Sequence, residues 1–209
     1  MRKPLPSKPR KPRRNFFDFT SKLTPDSKTS QLELHLGALF DHGVNFRDRI
    51  ITLTGEVNSD MFSLVDAALS EMEAHSRKAI TIRINSEGGG VYDALAIVGR
   101  IKSCKCKVVT EGFGCIMSAA TLILACGEER RISSLAWFMS HESSYSVTGR
   151  HKEVMDFVKQ SEREEQQWAA RMAEHSNEDS KFWREVHANA DAYFDAEQLM
   201  SMGVVDEII

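Results

Sequence analysis

The stretch ITIRINSEGGG, residues 80–90, decides how this chain folds, because it joins a strand pattern to a run of glycines. Its isoleucines alternate with polar residues, and this period of two predicts a β-strand with one buried face. The glycines that follow accept backbone conformations that other residues avoid, so that another backbone can approach closely. We therefore predict a strand over residues 80–84 and a tight loop over residues 85–90.

Outward from this stretch, strand and helix patterns alternate along the chain. Strands are predicted at residues 50–54 and 106–110, once or twice within residues 131–140, and at Val204–Val205. Helices are predicted from Asn58 or Ser59 onward, over residues 91–102, 118–125 and 152–176, near residues 178–189, and after Asp195. Because strands and helices alternate, we expect an α/β fold with a mostly parallel sheet.

The beginning of the chain differs in composition from the rest. Residues 1–14 hold seven Lys or Arg residues, four of the five prolines and no acidic residue. A proline-rich cationic segment cannot build a core, so we interpret residues 1–30 as a disordered basic head and residues 31–209 as one folded domain. The head could be a solvated tail, a docking tail, a removable pro-segment, or a weak and salt-dependent contact for nucleic acid.

The overall composition excludes several classes of protein. Apolar residues make up 42% of the chain and charged residues 27%, which is typical of a soluble globular protein. No apolar run has the length that a membrane span needs. The four cysteines match no zinc-binding spacing, and a chain of this length needs no disulfide for stability. We therefore expect reduced thiols and a cytoplasmic location.

Three segments carry the residue types that peptide hydrolysis requires: a nucleophile, a base and a group that orients the base. In GFGCIMSAA, residues 112–120, Ser118 follows a strand and a glycine turn and opens a helix, which leaves the N–H of Ala119 free for a developing oxyanion. His141 directly follows an apolar strand, and Asp191 lies in a later polar segment.

Each of these residues also has an ordinary interpretation when it is taken alone. A serine at the start of a helix is usually a cap, and a lone histidine is usually a strand-end residue. Residue chemistry does not separate Asp191 from Asp179 or Asp195. The glycine run could be a plain turn, a weak phosphate loop without the lysine of a P-loop, or a row of N–H donors beside a reacting carbonyl.

Taken together and in this order, the segments resemble the ClpP family, the proteolytic subunits of the caseinolytic (Clp) protease. The resemblance extends from about Arg47 to Val205. It is carried by residues 49–57 (the family's first core strand and turn), INSEGG at 84–89 (similar to INSPGG), residues 114–119 (similar to Gly-x-Ala-x-Ser-Met), Met139–His141 (similar to Met-x-His), and the closing segment that begins at Asp191.

The resemblance implies a ClpP/crotonase-type fold of repeated β-β-α units, with residues 152–176 as a protruding handle helix. It implies a serine endopeptidase that uses no metal and no organic cofactor. The implied site residues are Ser118 as nucleophile, His141 as general base, Asp191 as the orienting acid, and the backbone N–H groups of Gly88, Gly89 and Ala119 as oxyanion donors.

The resemblance also implies partners. In the family, subunits self-associate into heptameric rings that stack as a tetradecamer around a chamber for protein or peptide substrates. ATP acts there through a separate AAA+ unfoldase. The basic head differs from the apolar N-terminal segment that forms the family's axial loops. This difference leaves open whether an unfoldase docks on this chain, and it suits a phage-type or self-contained member.

The sequence departs from the family pattern near the implied site. Glu87 replaces a proline, Gly90 extends the glycine run, Ile116 and Met117 replace smaller residues, and Ser143 stands where the family has a proline after the histidine. Two other functions stay open at this point: a crotonase-like acyl-CoA enzyme, which would share the fold but use an acidic base, and a non-catalytic ring subunit.

Overall fold

The computed structural model describes residues 37–39, 41–188 and 191–209. The strands of this part of the chain are β1 (Val44–Asn45), β2 (Ile50–Val57), β3 (Ile80–Gly89), β4 (Val108–Met117), β5 (Glu129–Ile132), β6 (Trp137–Ser140), β7 (Ala192–Phe194) and β8 (Glu207–Ile208). Its helices are α1 (Ser59–His75), α2 (Val91–Lys102), α3 (Ala120–Ala125), α4 (His151–Glu174), α5 (Ser180–Ala188) and α6 (Ala196–Ser201). The basic head lies outside the described residues.

One mixed sheet organises the fold. Its main order is β1-β2-β3-β4-β5-β8, and all of these neighbours are parallel except β1 and β2. Strand β6 pairs in parallel with β4, and β7 pairs antiparallel with β6. This architecture confirms the α/β class and the mostly parallel sheet expected from the sequence.

The helices cover the sheet and complete the core. Helix α1 packs against α2 and β2, while α3 packs against β3 and β4. Apolar side chains from each layer are fully buried, among them Val65, Leu69, Ile82, Ile97 and Ile123. Each such side chain stabilises the folded state by roughly 1.5–3 kcal/mol through removal from water. Asn58 and Asp195 begin α1 and α6 by accepting N–H groups of the first turn, as predicted.

The loop predicted over residues 85–90 is wrong, because β3 continues to Gly89. Its last residues pair with β2 through Val57 and Gly89 and with β4 through Ser86 and Ile116. Pairing on both sides satisfies the backbone of this polar, glycine-rich segment as well as a loop would. The end of β3 at residues 86–89, which we call the glycine edge, is therefore fixed by strand pairing.

Strand β4 forks the sheet. Residues up to Gly112 pair with β5, whereas Cys115–Met117 pair with β6. The register with β3 shifts here, because two steps along β3 (84 to 86) oppose four steps along β4 (112 to 116). Asn85 fills the resulting bulge: its Oδ1 accepts the N–H of Cys115 at 3.1 Å. The fork brings the end of β4 beside the end of β6.

Two other boundaries differ from prediction. Helix α3 begins at Ala120 rather than at Ser118. The closing strand is β8 rather than Val204–Val205, because the Val204 N–H bonds to the carbonyl of Leu199 and ends α6. The predicted long helix is present as α4, which buries only Ser161, Ala169 and Met172 along its 24 residues. Its first half is therefore open to contact with another molecule.

Candidate active site

Ser118 lies at the end of β4 in a backbone conformation that few residues adopt. Its φ is +51°, in the left-handed region that disfavours side chains. Its N–H donates to the carbonyl of Met139 at 2.8 Å, and its carbonyl accepts the N–H of Thr121 at 3.0 Å. The strained turn places the Ser118 side chain beside the residue that follows β6.

His141 follows β6 and contacts Ser118 directly. The Nε2 of His141 lies 2.8 Å from the Oγ of Ser118. The parallel pairing of Met117 with Met139 sets this contact, because it brings the ends of β4 and β6 to the same level. When the imidazole is neutral and Nε2 accepts the hydroxyl proton, Nδ1 carries the other hydrogen. The pair has the geometry of a serine and its general base.

Asp191 approaches the other side of the imidazole. Its Oδ1 lies 3.7 Å from His141 Nδ1, beyond hydrogen-bond range, and its side chain is 58% exposed. The antiparallel pairing of Ser140 with Ala192 explains the proximity, because His141 follows one partner and Asp191 precedes the other. The three residues predicted from the sequence thus come together. The contact between Ser118 and His141 is within hydrogen-bond range, and the one between His141 and Asp191 is not.

Gly88 lies against the backbone of the Ser118 turn. A Cβ at Gly88 would stand 2.6 Å from the carbonyl oxygen of Met117, and its φ is +95°. The Gly88 N–H donates to the Oγ of Ser86 at 3.1 Å, and that hydroxyl donates to the carbonyl of Gly55 at 2.6 Å. Ser86, which the sequence analysis did not single out, therefore holds the N–H of Gly88 and fixes the glycine edge.

Gly89 and Ala119 are the other two residues with implied oxyanion donors. A Cβ at Gly89 would stand 2.3 Å from the carbonyl oxygen of Val57, so Gly89 packs tightly on β2. Ala119 is the residue before the first turn of α3, where N–H groups have no partner within the helix. Its N–H is adjacent in the chain to the Ser118 side chain and is therefore suited to an anionic oxygen at that position.

A second polar cluster, which no sequence pattern predicted, lies beside this pair. The Nδ1 of His187 lies 2.6 Å from Glu165 Oε2, and its Nε2 lies 2.8 Å from the Oγ of Ser140. Glu165 Oε1 also accepts the N–H of Ser143 at 2.8 Å. The ring of Trp168 lies on the His187 imidazole, with centroids 3.9 Å apart.

Glu165 is held as a carboxylate within this cluster. Burial raises the pKa of Glu165, but the hydrogen bonds from His187 and Ser143 have the larger combined effect and lower the pKa to about 2. His187 and Ser140 are 8% and 1% exposed. The one signal that could have indicated the cluster is the polar His187 on the otherwise apolar, buried side of α5, one turn after Trp183.

A cleft opens between the Ser118 turn and α4. Apolar side chains of α2, α3 and α4 line it, including Val91, Leu95, Leu122 and Trp168. Polar groups of α4 also line it, including Glu164 and Gln167. Within residues 37–39, 41–188 and 191–209, no group of three His, Cys, Asp or Glu side chains could hold a metal ion. None of the helices described there combines the length and apolarity that crossing a bilayer requires.

Comparison with known proteins identifies relatives of the chain. The sequence model of the Clp protease family matches residues 41–209. The chain is also similar to the ATP-dependent Clp protease proteolytic subunit 2 of Rhodococcus jostii (strain RHA1). The two are 27% identical over 168 residues, which cover 78% of this chain and 85% of the relative.

Proposed function

Because the chain belongs to the Clp protease family, a family of peptidases, we propose that it is a serine endopeptidase with Ser118 as its nucleophile. The observation that carries the proposal is the 2.8 Å contact between Ser118 Oγ and His141 Nε2. Strained backbone at a residue other than glycine is concentrated at functional sites, and Ser118 has this strain where its hydroxyl meets His141. The Clp protease match also favours peptide hydrolysis over the chemistry of an acyl-CoA enzyme.

In the proposed reaction His141 acts first as base and then as acid. Its Nε2 takes the Ser118 proton as Oγ bonds to the peptide carbonyl carbon, and the resulting imidazolium gives that proton to the leaving amine. A water molecule, activated by the same nitrogen, then releases the acyl group from Ser118. Asp191 stabilises the imidazolium, and shortening its 3.7 Å separation to a hydrogen bond is the adjustment that substrate binding must bring.

The carbonyl oxygen becomes negative during the attack and needs hydrogen-bond donors. We assign the N–H of Ala119 to this role because it adjoins Ser118 at a helix start. The glycine edge supplies the second donor. Since the N–H of Gly88 is already given to Ser86, Gly89 is the stronger candidate of the two glycines.

The proposal includes assembly into heptameric rings that stack as a tetradecamer around a chamber. The long, mostly exposed α4 supports it, because Met155 and Phe157 leave 42% and 40% of their surface exposed there. Exposed apolar side chains on a projecting helix are suited to contact with a second copy. Enclosure in a chamber would restrict the substrates to peptides or unfolded proteins, which an AAA+ unfoldase could deliver.

The free thiols of all four cysteines support a cytoplasmic location.

Labelling with a fluorophosphonate probe tests the function. Activated serines react with this probe, so mass spectrometry of the labelled protein should locate it on Ser118. The Ser118→Ala variant should not be labelled, whereas Ser201→Ala, which removes an exposed hydroxyl on α6, should be labelled like the wild type. Equal labelling of the Ser118→Ala variant and the wild type would exclude Ser118 as nucleophile, and an unlabelled wild-type ring would favour the non-catalytic subunit.

A further inference from the structure

We propose that Glu165 is a positioning residue, which holds the His141 segment against Ser118 through His187 and Ser140 on one side and through Ser143 on the other. The inference rests on the proposed function, since it assigns a role toward the proposed base. It concerns the cluster of Glu165, His187 and Ser140, which we call the buried relay. No step of the proposed reaction uses this relay.

The buried relay has the order of a serine, histidine and acid triad, but its serine cannot reach a substrate. Ser140 is 1% exposed, and its backbone is paired with Ala192 in β7. Although Ser140 lines the cleft beside Ser118, its hydroxyl is almost fully covered and is hydrogen-bonded to His187. A nucleophilic role is therefore excluded, and the relay must act on something that it already touches.

The hydrogen bonds of the relay run in one direction. The Glu165 carboxylate can only accept, so the Nδ1 of His187 must donate to it, as the N–H of Ser143 does. With Nδ1 protonated in a neutral ring, Nε2 accepts, and the hydroxyl of Ser140 donates to it. Each polar group of the relay is satisfied only while residue 165 accepts two hydrogen bonds.

Ser140 of the relay and Ser143, which is bonded to Glu165, flank the proposed base. Ser140 immediately precedes His141, and Ser143 follows it by two residues. Glu165 on α4 thus holds both ends of a four-residue segment, directly through Ser143 and by way of His187 on α5. The segment cannot move away from Ser118 without breaking a buried, charge-assisted hydrogen bond.

A departure noted in the sequence makes this arrangement possible. Ser143 stands where the family pattern has proline, and proline has no N–H. The bond from the Ser143 N–H to Glu165 therefore needs the residue that this chain has in place of that proline. Serine at position 143 and the buried carboxylate of Glu165 therefore depend on each other in this chain.

The test compares three variants of the full-length assembled protein. Glu165→Gln keeps the shape but accepts fewer hydrogen bonds, and Ser140→Ala cuts the same relay without changing charge. Glu162→Gln, on an exposed position of α4, is the matched control for the loss of charge. The rate of Ser118 labelling by the fluorophosphonate is measured across pH, with the oligomeric size and unfolding temperature recorded for each variant.

We expect Glu165→Gln and Ser140→Ala each to slow labelling by at least about ten-fold at unchanged oligomeric size. Because both cut one relay, the double variant should be little slower than the slower single variant, whereas independent defects would multiply. The Glu162→Gln variant should label at the wild-type rate. Wild-type labelling of Glu165→Gln, at every pH, would overturn the proposal.

A second readout separates this inference from the proposed function. In protein labelled with ¹³C at histidine Cε1, the His141 resonance is assigned with a His141→Gln variant and followed by NMR through a pH titration. The Glu165→Gln and Ser140→Ala variants should both displace this resonance or its titration midpoint. A wild type that is not labelled would overturn the proposed function. Independently of that result, an unchanged His141 resonance in both variants would overturn the positioning role.

Discussion

Gly88 lies so close to Ser118 that a Cβ on the glycine would stand 2.7 Å from the Cβ of the serine. The same added atom would meet the carbonyl oxygen of Met117 at 2.6 Å, and backbone cannot yield as a flexible side chain can. The Ser118 turn and the glycine edge are therefore packed so closely that residue 88 has no room for a Cβ. Position 88 accepts glycine alone without displacement of the turn.

We predict that Gly88→Ala lowers the rate of Ser118 labelling by at least about 100-fold, because a displaced oxyanion site costs that order of activity. Its φ of +95° adds strain that any side chain would meet. Gly99→Ala is the control, since a Cβ there meets nothing within 4 Å and α2 should gain stability from alanine. Equal labelling of Gly88→Ala and Gly99→Ala would contradict the tight packing.

Asp191 should matter for turnover more than for the resting state. We predict that Asp191→Asn lowers peptide hydrolysis by about 100-fold or more while the protein keeps its assembly and its unfolding temperature, because the exposed carboxylate contributes little to folding. Asp156→Asn, exposed on α4, is the control for charge. Peptidase assays and differential scanning fluorimetry on both variants check this, and an active Asp191→Asn variant would assign the orienting role elsewhere.

The pairing of α1 with α2 should make stability depend on pH. Arg100 donates to Glu73 at 2.7 Å and to Asp66 at 2.8 Å, and the two partners Arg100 and Glu73 are largely buried. Burial raises the pKa of Glu73, but hydrogen bonds from the Lys105 backbone and from Arg100 lower it to about 2. Because the folded pKa lies below the unfolded value, the stabilisation is complete above pH ~4.5 and is lost as pH falls toward ~2.

We therefore predict that Glu73→Gln lowers the free energy of unfolding at neutral pH by an amount on the order of 2 kcal/mol and flattens its dependence between pH ~4.5 and ~2. Glu165, whose pKa is lowered to the same extent, contributes to the same window and keeps part of the slope. Denaturant unfolding followed by tryptophan fluorescence at several pH values measures both effects. The Glu162→Gln variant should follow the wild-type curve.

The exposed part of α4 should decide assembly. We predict that Met155→Glu places a charge in the contact between rings and converts stacked rings into smaller species, because burying an unpaired charge costs several kcal/mol. Mass photometry of the purified protein measures the change, with Gln166→Glu as a control that adds the same charge at another exposed position. A tetradecamer that persists in Met155→Glu would show that another surface joins the rings.

Part of this fold and site could be predicted because each signal was local. The alternation of Ile80, Ile82 and Ile84 depends only on neighbouring residues, and so do the caps at Asn58 and Asp195. The predicted roles of Ser118, His141 and Asp191 rest on motifs of several adjacent residues that resemble one family. Pairing with distant strands decided the features that were missed, such as the extension of β3 through its glycines.

The buried relay could not be predicted from sequence for the same reason. Its members Ser140 and His187 are 47 residues apart, and Glu165 lies within a run of charged residues that looks solvent-exposed. Only the packing of α5 and α4 against the end of β6 brings the three together. A histidine on the apolar side of a helix marked the position, but nothing in the sequence marked its partners.

The fork in β4 has a mechanical consequence. Ser118 belongs to the main sheet, whereas His141 and Asp191 both extend from the two-stranded branch of β6 and β7, which joins β4 only at Cys115–Met117. A tilt of this branch carries His141 and Asp191 together and leaves their separation unchanged, so the contact that it opens is the one between His141 and Ser118. From 2.8 Å, a movement of about 0.5 Å exceeds good hydrogen-bond range. The centre can thus be switched off by a motion far smaller than any unfolding event, at the joint where β6 pairs with Cys115–Met117.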